Sequence, residues 1–253
     1  MARPDNGELF SIFRLFFNSS PQETKIISTS RGVNDFRETI LATWDSGERY
    51  VLKLADNDFT FPAKIETWQQ CAKSYRALGY YCPAILCSKK HDFPIVRYKD
   101  HSCVAWAEEY ATYATAEARG GENTAFPMAQ RREYMLDAFV MTAKIAAMQL
   151  DFTAYPSGYC LFARFAPSDA SDEVLDNACQ WKAYADTLPA AFQKQIARIW
   201  QRWTENRRQL QQIYPRLPTS VFQADLNPPI FCWMRTANLR VSWISTCAAG
   251  MCF

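Results

Sequence analysis

The sequence predicts an α+β protein in which a small antiparallel β-rich lobe is followed by a helical lobe. Short runs of β-branched and aromatic residues, separated by turn residues, occupy the first 110 residues. Long segments with helical periodicity occupy most of the remainder. The chain has 253 residues, of which 49% are hydrophobic, so it can bury a substantial core. We therefore predict an N-terminal lobe at 1–110 and a helical C-terminal lobe at 111–253, joined near 104–113.

The N-terminal lobe should contain an entrance helix, five strands and a second helix between the third and fourth strands. Tight turns such as Asp45-Ser46-Gly47 separate neighbouring strands, and Gly79 should end the second helix. The predicted elements are a helix at 7–17, strands at 25–29, 38–44 and 50–55, a helix at 63–78, and strands near 93–98 and 103–110.

The C-terminal lobe should contain two long helices, at 129–150 and about 189–214. Residues 117–127 read as a loop, and residues 156–174 read as irregular and rich in turns. A polar loop at 219–228 follows the second long helix.

Composition excludes several classes of protein. A formal charge of +2 without a basic stripe argues against a nucleic-acid partner, and no apolar run is long enough to predict a membrane span. Nine cysteines without a C-x-x-C pair, with only two histidines, argue against a zinc site. An odd cysteine count and a start unlike an export signal predict reduced thiols and a cytoplasmic location. The oligomeric state stays open.

Lys53 is the first candidate functional residue, because it lies in the middle of the apolar strand Y-V-L-K-L. Burying a lysine is costly unless its charge is met. Glu66 lies on the following helix, thirteen residues later. Alternatively, the strand alternates and Lys53 points to water. Gly32 lies in the turn after the first strand, where backbone amides could bind phosphate, although an ordinary hairpin loop explains it equally well.

Asp225 is the third candidate, in the polar loop F-Q-A-D-L-N-P. An aspartate in such a loop can accept the proton of a substrate hydroxyl or orient that hydroxyl. The alternative is a turn or N-cap aspartate, since Asp-Leu-Asn-Pro is also good turn chemistry.

Taken together, these features resemble the aminoglycoside phosphotransferase and choline-kinase group, which has a two-lobed protein-kinase-like fold. The resemblance covers about residues 20–228. It rests on the strand lysine and the helix glutamate together with the segments A-E-E-Y (107–110), F-Q-A-D-L-N-P (222–228), Y-R-A-L-G-Y-Y-C-P (75–83), Y-C-L-F (159–162) and W-K-A-Y-A-D-T-L-P (181–189).

The resemblance implies transfer of the γ-phosphate of ATP, with Mg²⁺, to a hydroxyl of a small molecule. It makes Asp225 the catalytic aspartate, Lys53 the phosphate-binding lysine, Glu66 its partner and Gly32 part of the phosphate-covering turn. Gln223 stands where most members have histidine. The acceptor is not identified by the resemblance.

The resemblance breaks after Asp225. The family has a metal-binding asparagine five residues later and a metal-binding aspartate about twenty residues later. Here Ile230 occupies the first position, and no Asp or Glu occurs in residues 226–253. We therefore predict no metal site and little or no phosphoryl transfer by this chain, whose C-terminal part is incomplete and whose tail, 229–253, is aberrant. A nucleotide- or partner-binding pseudokinase and a non-functional gene remnant are the alternatives.

The genetic code explains the break as a frameshift near codon 228 or 229. Reading one nucleotide earlier, Trp233-Met234 and Trp243-Ile244 each force an aspartate, and Cys232 and Trp233 each force a leucine. Permissive choices elsewhere give an asparagine at position 230 and an Asp-Phe-Asn turn that starts at position 244. We refer to the polypeptide encoded in this frame after residue 228 as the alternative-frame segment. Sequencing the coding DNA across Asn227–Ile230 tests the hypothesis, and stop codons in that frame would contradict it.

Overall fold

The computed structural model describes residues 6–30, 34–111, 128–151, 161–222, 231–234 and 240–243. Within them the chain is α+β, with an antiparallel sheet followed by helices. The helices are α1 (Asn6–Phe16), α2 (Pro62–Ala77), α3 (Met128–Ala147), α4 (Glu173–Ala185) and α5 (Ala190–Ile213). The strands are β1 (Glu23–Ser28), β2 (Phe36–Thr43), β3 (Arg49–Asp56), β4 (Ile85–Leu86), β5 (Ile95–Tyr98), β6 (His101–Glu109), β7 (Phe231–Met234) and β8 (Arg240–Trp243).

One six-stranded sheet dominates the N-terminal half. Its strands run in the order β1-β2-β3-β6-β4, and β5 also pairs with β6. Every pair is antiparallel, and tight turns connect β2 with β3 and β5 with β6. Between β2 and β3 the turn depends on Gly47, whose φ of 82° is readily adopted only by glycine.

The sheet is covered on both faces, so its central strands bury side chains on both sides. On one face, α1 buries Leu9, Ile12 and Phe13 against Leu52 and Leu54. The other face of the sheet packs against α2 and α3, with a core whose larger members are Ile65, Trp68, Tyr75, Phe93, Trp106, Met141 and Ile145.

The predicted elements of the N-terminal half are confirmed to within a few residues, and α2 ends before Gly79, which has a φ of 84°. The described residues 161–172 contain neither helix nor strand, as predicted for 156–174, but the sequence reasoning missed α4, which starts at Glu173. Asp172 caps α4 by accepting the Leu175 N–H at 3.0 Å, and it forms an ion pair with Arg207 of α5. The strands β4, β7 and β8 were also missed, and β7 pairs antiparallel with β8 inside the predicted aberrant tail.

In the described part of the chain, no helix combines the length and apolar character needed to cross a bilayer.

Candidate functional site

Lys53 lies in the middle of the sheet. On β3 it stands opposite Thr39 of β2 and Trp106 of β6. The residue is only 5% exposed, which excludes the alternative in which it points to water. A buried ammonium is costly without an opposite charge, so Lys53 needs a negatively charged group close to its Nζ.

Glu108 supplies that opposite charge. Its Oε1 lies 2.9 Å from Lys53 Nζ, and the side chains of Lys53 and Glu108 are 7% and 2% exposed. The indole N–H of Trp106 donates to the same oxygen at 2.9 Å. Because side chains alternate along a strand, residues 106 and 108 lie on the same face of the sheet, and Lys53 lies on that face opposite Trp106. The pairing register of β3 with β6 therefore brings the three groups together.

The predicted ion pair between Lys53 and Glu66 is therefore corrected. Glu66 is exposed, because the stripe of α2 that faces the sheet carries Ile65, Trp68 and Cys71 instead. Lys53 and Glu108 lie on hydrogen-bonded neighbouring strands, so their pairing needs no contribution from α2. A role for Glu66 in nucleotide binding stays a prediction.

A second buried lysine, Lys64, lies in the first turn of α2 and was missed by the sequence reasoning. It is 2% exposed, and its ammonium donates to the backbone carbonyl of Phe165 at 2.7 Å. The same ammonium lies 4.0 Å from the centre of the Phe165 ring. Its position four residues before Trp68, on the buried stripe of α2, was the available signal. Lys64 thus ties α2 to the segment that precedes α4.

A polar pocket of about 670 Å³ lies at the end of the sheet where β3 finishes and β6 begins, lined by Asn34, Asp56, Asn57, Asp58 and His101. The Asp56 carboxylate lies 3.0 Å from Nδ1 of His101. Among the residues that the structure describes, no group of three or more histidine, cysteine or acidic side chains is arranged to hold a metal ion.

Three residues of the predicted site lie outside the described residues, namely Gly32, Asp225 and Gln223, and their roles stay predictions. The beginning of the polar loop predicted at 219–228 is held against the end of α3. There the Val221 N–H donates to the carbonyl of Leu150 at 3.2 Å, and the Ser220 hydroxyl donates to that of Ile145 at 3.3 Å.

No protein-family model and no curated protein matches the chain. Among solved structures, it is similar to an aminoglycoside phosphotransferase from Alicyclobacillus acidocaldarius subsp. acidocaldarius, with 14% sequence identity and a TM-score of 0.46. The likeness covers 93% of this chain and 64% of that protein, so the chain spans less than two thirds of its length. A likeness at this level does not establish membership of a family.

Proposed function

We propose that the chain derives from an ATP-dependent small-molecule phosphotransferase with a protein-kinase-like fold, and that its N-terminal half is the nucleotide-binding lobe. The observation that carries the proposal is the buried ion pair of Lys53 with Glu108 in the centre of the sheet. Such a pair adds little stability over an apolar pair of similar size. A lysine kept there with its own carboxylate and indole partners is therefore better explained by a role in binding anionic phosphate.

The proposed roles differ from residue to residue. Lys53 would contact the α and β phosphates of ATP, and Glu108, together with Trp106, would fix the position of its ammonium. In a protein with the frame restored, Asp225 would position the acceptor hydroxyl and accept its proton. The acceptor would be a small hydroxylated molecule, and neither a nucleic acid nor a membrane is proposed as a partner.

Residues 226–253 do not fit the part of a catalytic magnesium site that the resemblance places there. Magnesium prefers carboxylate and other hard oxygen ligands, and residues 226–253 contain neither Asp nor Glu. We therefore propose that the frameshift near codon 228 removed the metal ligands. The chain as it stands would bind nucleotide without transferring phosphate.

Phosphoryl transfer should be measured with ATP, Mg²⁺ and a panel of hydroxylated acceptors, on this chain and on the product of the gene with its frame restored. We expect metal-dependent turnover in the restored protein, lost on Asp225→Asn, and none in the present chain. Metal-dependent turnover by the present chain, abolished by Asp225→Asn, would contradict the assignment of an inactive chain. A restored protein that binds ATP but phosphorylates no acceptor would count against a phosphotransferase.

A nucleotide-binding pseudokinase is the second candidate. It is favoured by the position of Lys53, Trp106 and Glu108, which lie far before the altered tail in sequence and meet without it. ATP without Mg²⁺ should raise the melting temperature of this chain, and Lys53→Met should abolish that shift. Lys73→Met, the same change at an exposed lysine of α2, is the matched control and should retain the shift. An equal shift in the Lys53→Met variant would exclude Lys53 from nucleotide binding.

We also propose a cytoplasmic location, on the state of the cysteines. In the described part of the chain, the free thiols are those of Cys71, Cys82, Cys87, Cys103 and Cys179. Reduced thiols are the usual state in the cytosol. Fractionation of cells that express the tagged gene tests this, and recovery in a secreted fraction would contradict it.

A further inference from the structure

Helix α3 carries an exposed apolar surface. The side of α3 that faces the sheet buries Met141 and Ile145. Its other side exposes large apolar side chains, with Leu136 at 55%, Phe139 at 60% and Val140 at 50% exposure. We call these three residues the apolar face of α3. A helix that is apolar on opposite sides is typical of one surrounded by protein.

The neighbouring helices leave this face open. In the described part of the chain, neither α4 nor α5 contributes a residue to the two hydrophobic cores. Helix α5 has 24 residues but buries only Ile196, and it exposes Phe192 and Ile199. The described helices α3 and α5 therefore expose large apolar side chains of the kind that a hydrophobic core normally buries.

The chain itself indicates what should cover the apolar face of α3. Ser220 and Val221 are hydrogen-bonded to the carbonyls of Ile145 and Leu150, so the polypeptide reaches the end of α3 just before residue 228. Strand β8 of the present tail then contacts α3. Strand β8 thus lies beside α3, and the large apolar side chains of α3 stay exposed.

We propose that the apolar face of α3 is the seat of the alternative-frame segment, an inference that rests on the frameshift in the proposed function. The segment starts from the same anchor at residues 220–221, and its forced residues include two leucines where the present tail has Cys232 and Trp233. Phe139 would be the central contact between α3 and the alternative-frame segment. In the present chain its side chain is 60% exposed.

The test compares Phe139→Gln in two proteins, the present chain and the product of the gene with its frame restored. In the present chain the side chain is already exposed, so the melting temperature should change by less than about 2 °C. In the restored protein the same change should lower it by roughly 5 °C or more, because a buried aromatic ring is lost. Ile95→Gln, at a strand residue that is 58% exposed, is the matched control and should behave alike in both proteins.

If restored Phe139→Gln does not fold, the milder Phe139→Leu should still lower the melting temperature, by roughly 2 °C or more. Three results would overturn the inference: an unchanged melting temperature in the restored variants, a stop codon that closes the alternative frame soon after codon 228, or a dimer of the present chain that Phe139→Gln dissociates. The last result would make a second copy the occupant. Failure of the proposed function is distinguishable, because a restored protein could show the stability effect of Phe139 and still transfer no phosphate.

Discussion

Replacing Glu108 with glutamine should destabilise the chain more than any comparable change at a surface carboxylate. Glutamine keeps an oxygen that can accept the indole N–H of Trp106 but removes the negative charge that lies 2.9 Å from Lys53 Nζ. Both side chains of the ion pair are almost fully buried, so solvent offers little compensation for the ammonium. Loss of one member of a buried pair costs about 3–5 kcal/mol, and we expect a loss of about 3 kcal/mol for Glu108→Gln.

The double variant tests whether this cost comes from the charge. Lys53→Met removes the ammonium while keeping a long apolar side chain, so Lys53→Met/Glu108→Gln leaves no unbalanced charge at the site. We expect the double variant to be more stable than either single variant, with a coupling energy of about 2 kcal/mol or more. Urea unfolding followed by tryptophan fluorescence and circular dichroism gives the free energies.

Glu66→Gln is the control for the partner that the sequence predicts. Glu66 is exposed, so its replacement should change the free energy of unfolding by no more than about 0.5 kcal/mol. Two results would refute the reasoning: a cost for Glu66→Gln as large as that for Glu108→Gln, or a coupling energy between Lys53 and Glu108 below about 0.5 kcal/mol.

Three further predictions follow from the described packing and ionisation. Burial alone would raise the pKa of Asp172, but its hydrogen bond and ion pair with Arg207 outweigh this and lower it. The ion pair therefore stabilises the fold above about pH 4 and is lost as the pH falls through the lowered pKa, so Asp172→Asn should weaken the acid dependence of unfolding; an unchanged dependence would contradict this. Phe13 is fully buried, so Phe13→Ala should cost about 3–5 kcal/mol in urea unfolding, and a cost below about 1 kcal/mol would show that α1 is not docked on the sheet. Burial raises the pKa of the Cys71 thiol to about 12, so iodoacetamide should label the exposed Cys179 before Cys71 in peptide mass mapping at pH 8; equal rates for these two residues would contradict the burial.

Local patterns predicted most of the N-terminal half because they are repeated along each element. The strand predicted at 50–55 is Arg49–Asp56 in the structure, and the helix predicted at 63–78 is Pro62–Ala77. Helix α4 shows the limit of this approach. The N-cap of α4, Asp172, lies in the stretch that was predicted to be irregular. Its carboxylate accepts a hydrogen bond from Arg207, 35 residues away in the chain. That contact is tertiary and invisible to periodicity.

The partner of Lys53 could not be predicted for a similar reason. Glu108 is 55 residues from Lys53 in the sequence, and the two meet only because β3 pairs with β6 in one register, with Lys53 opposite Trp106. A shift of one residue in that register would place Glu108 on the other face of the sheet. Glu66 is closer than Glu108 to Lys53 in the sequence, but the register between β3 and β6 places Glu108 beside the Lys53 ammonium.

This difference bears on what the chain can still do. The Lys53–Glu108 ion pair joins residues of two neighbouring strands, and neither member belongs to α2 or to the chain after residue 228. A lysine held by Glu66 would instead depend on the position of α2, which Lys64 ties to the segment before α4. Under the proposed function, nucleotide binding and phosphoryl transfer would therefore be separable. Changes in the C-terminal part of the chain should then abolish transfer, which is proposed to need Asp225, and leave the Lys53–Glu108 ion pair in place.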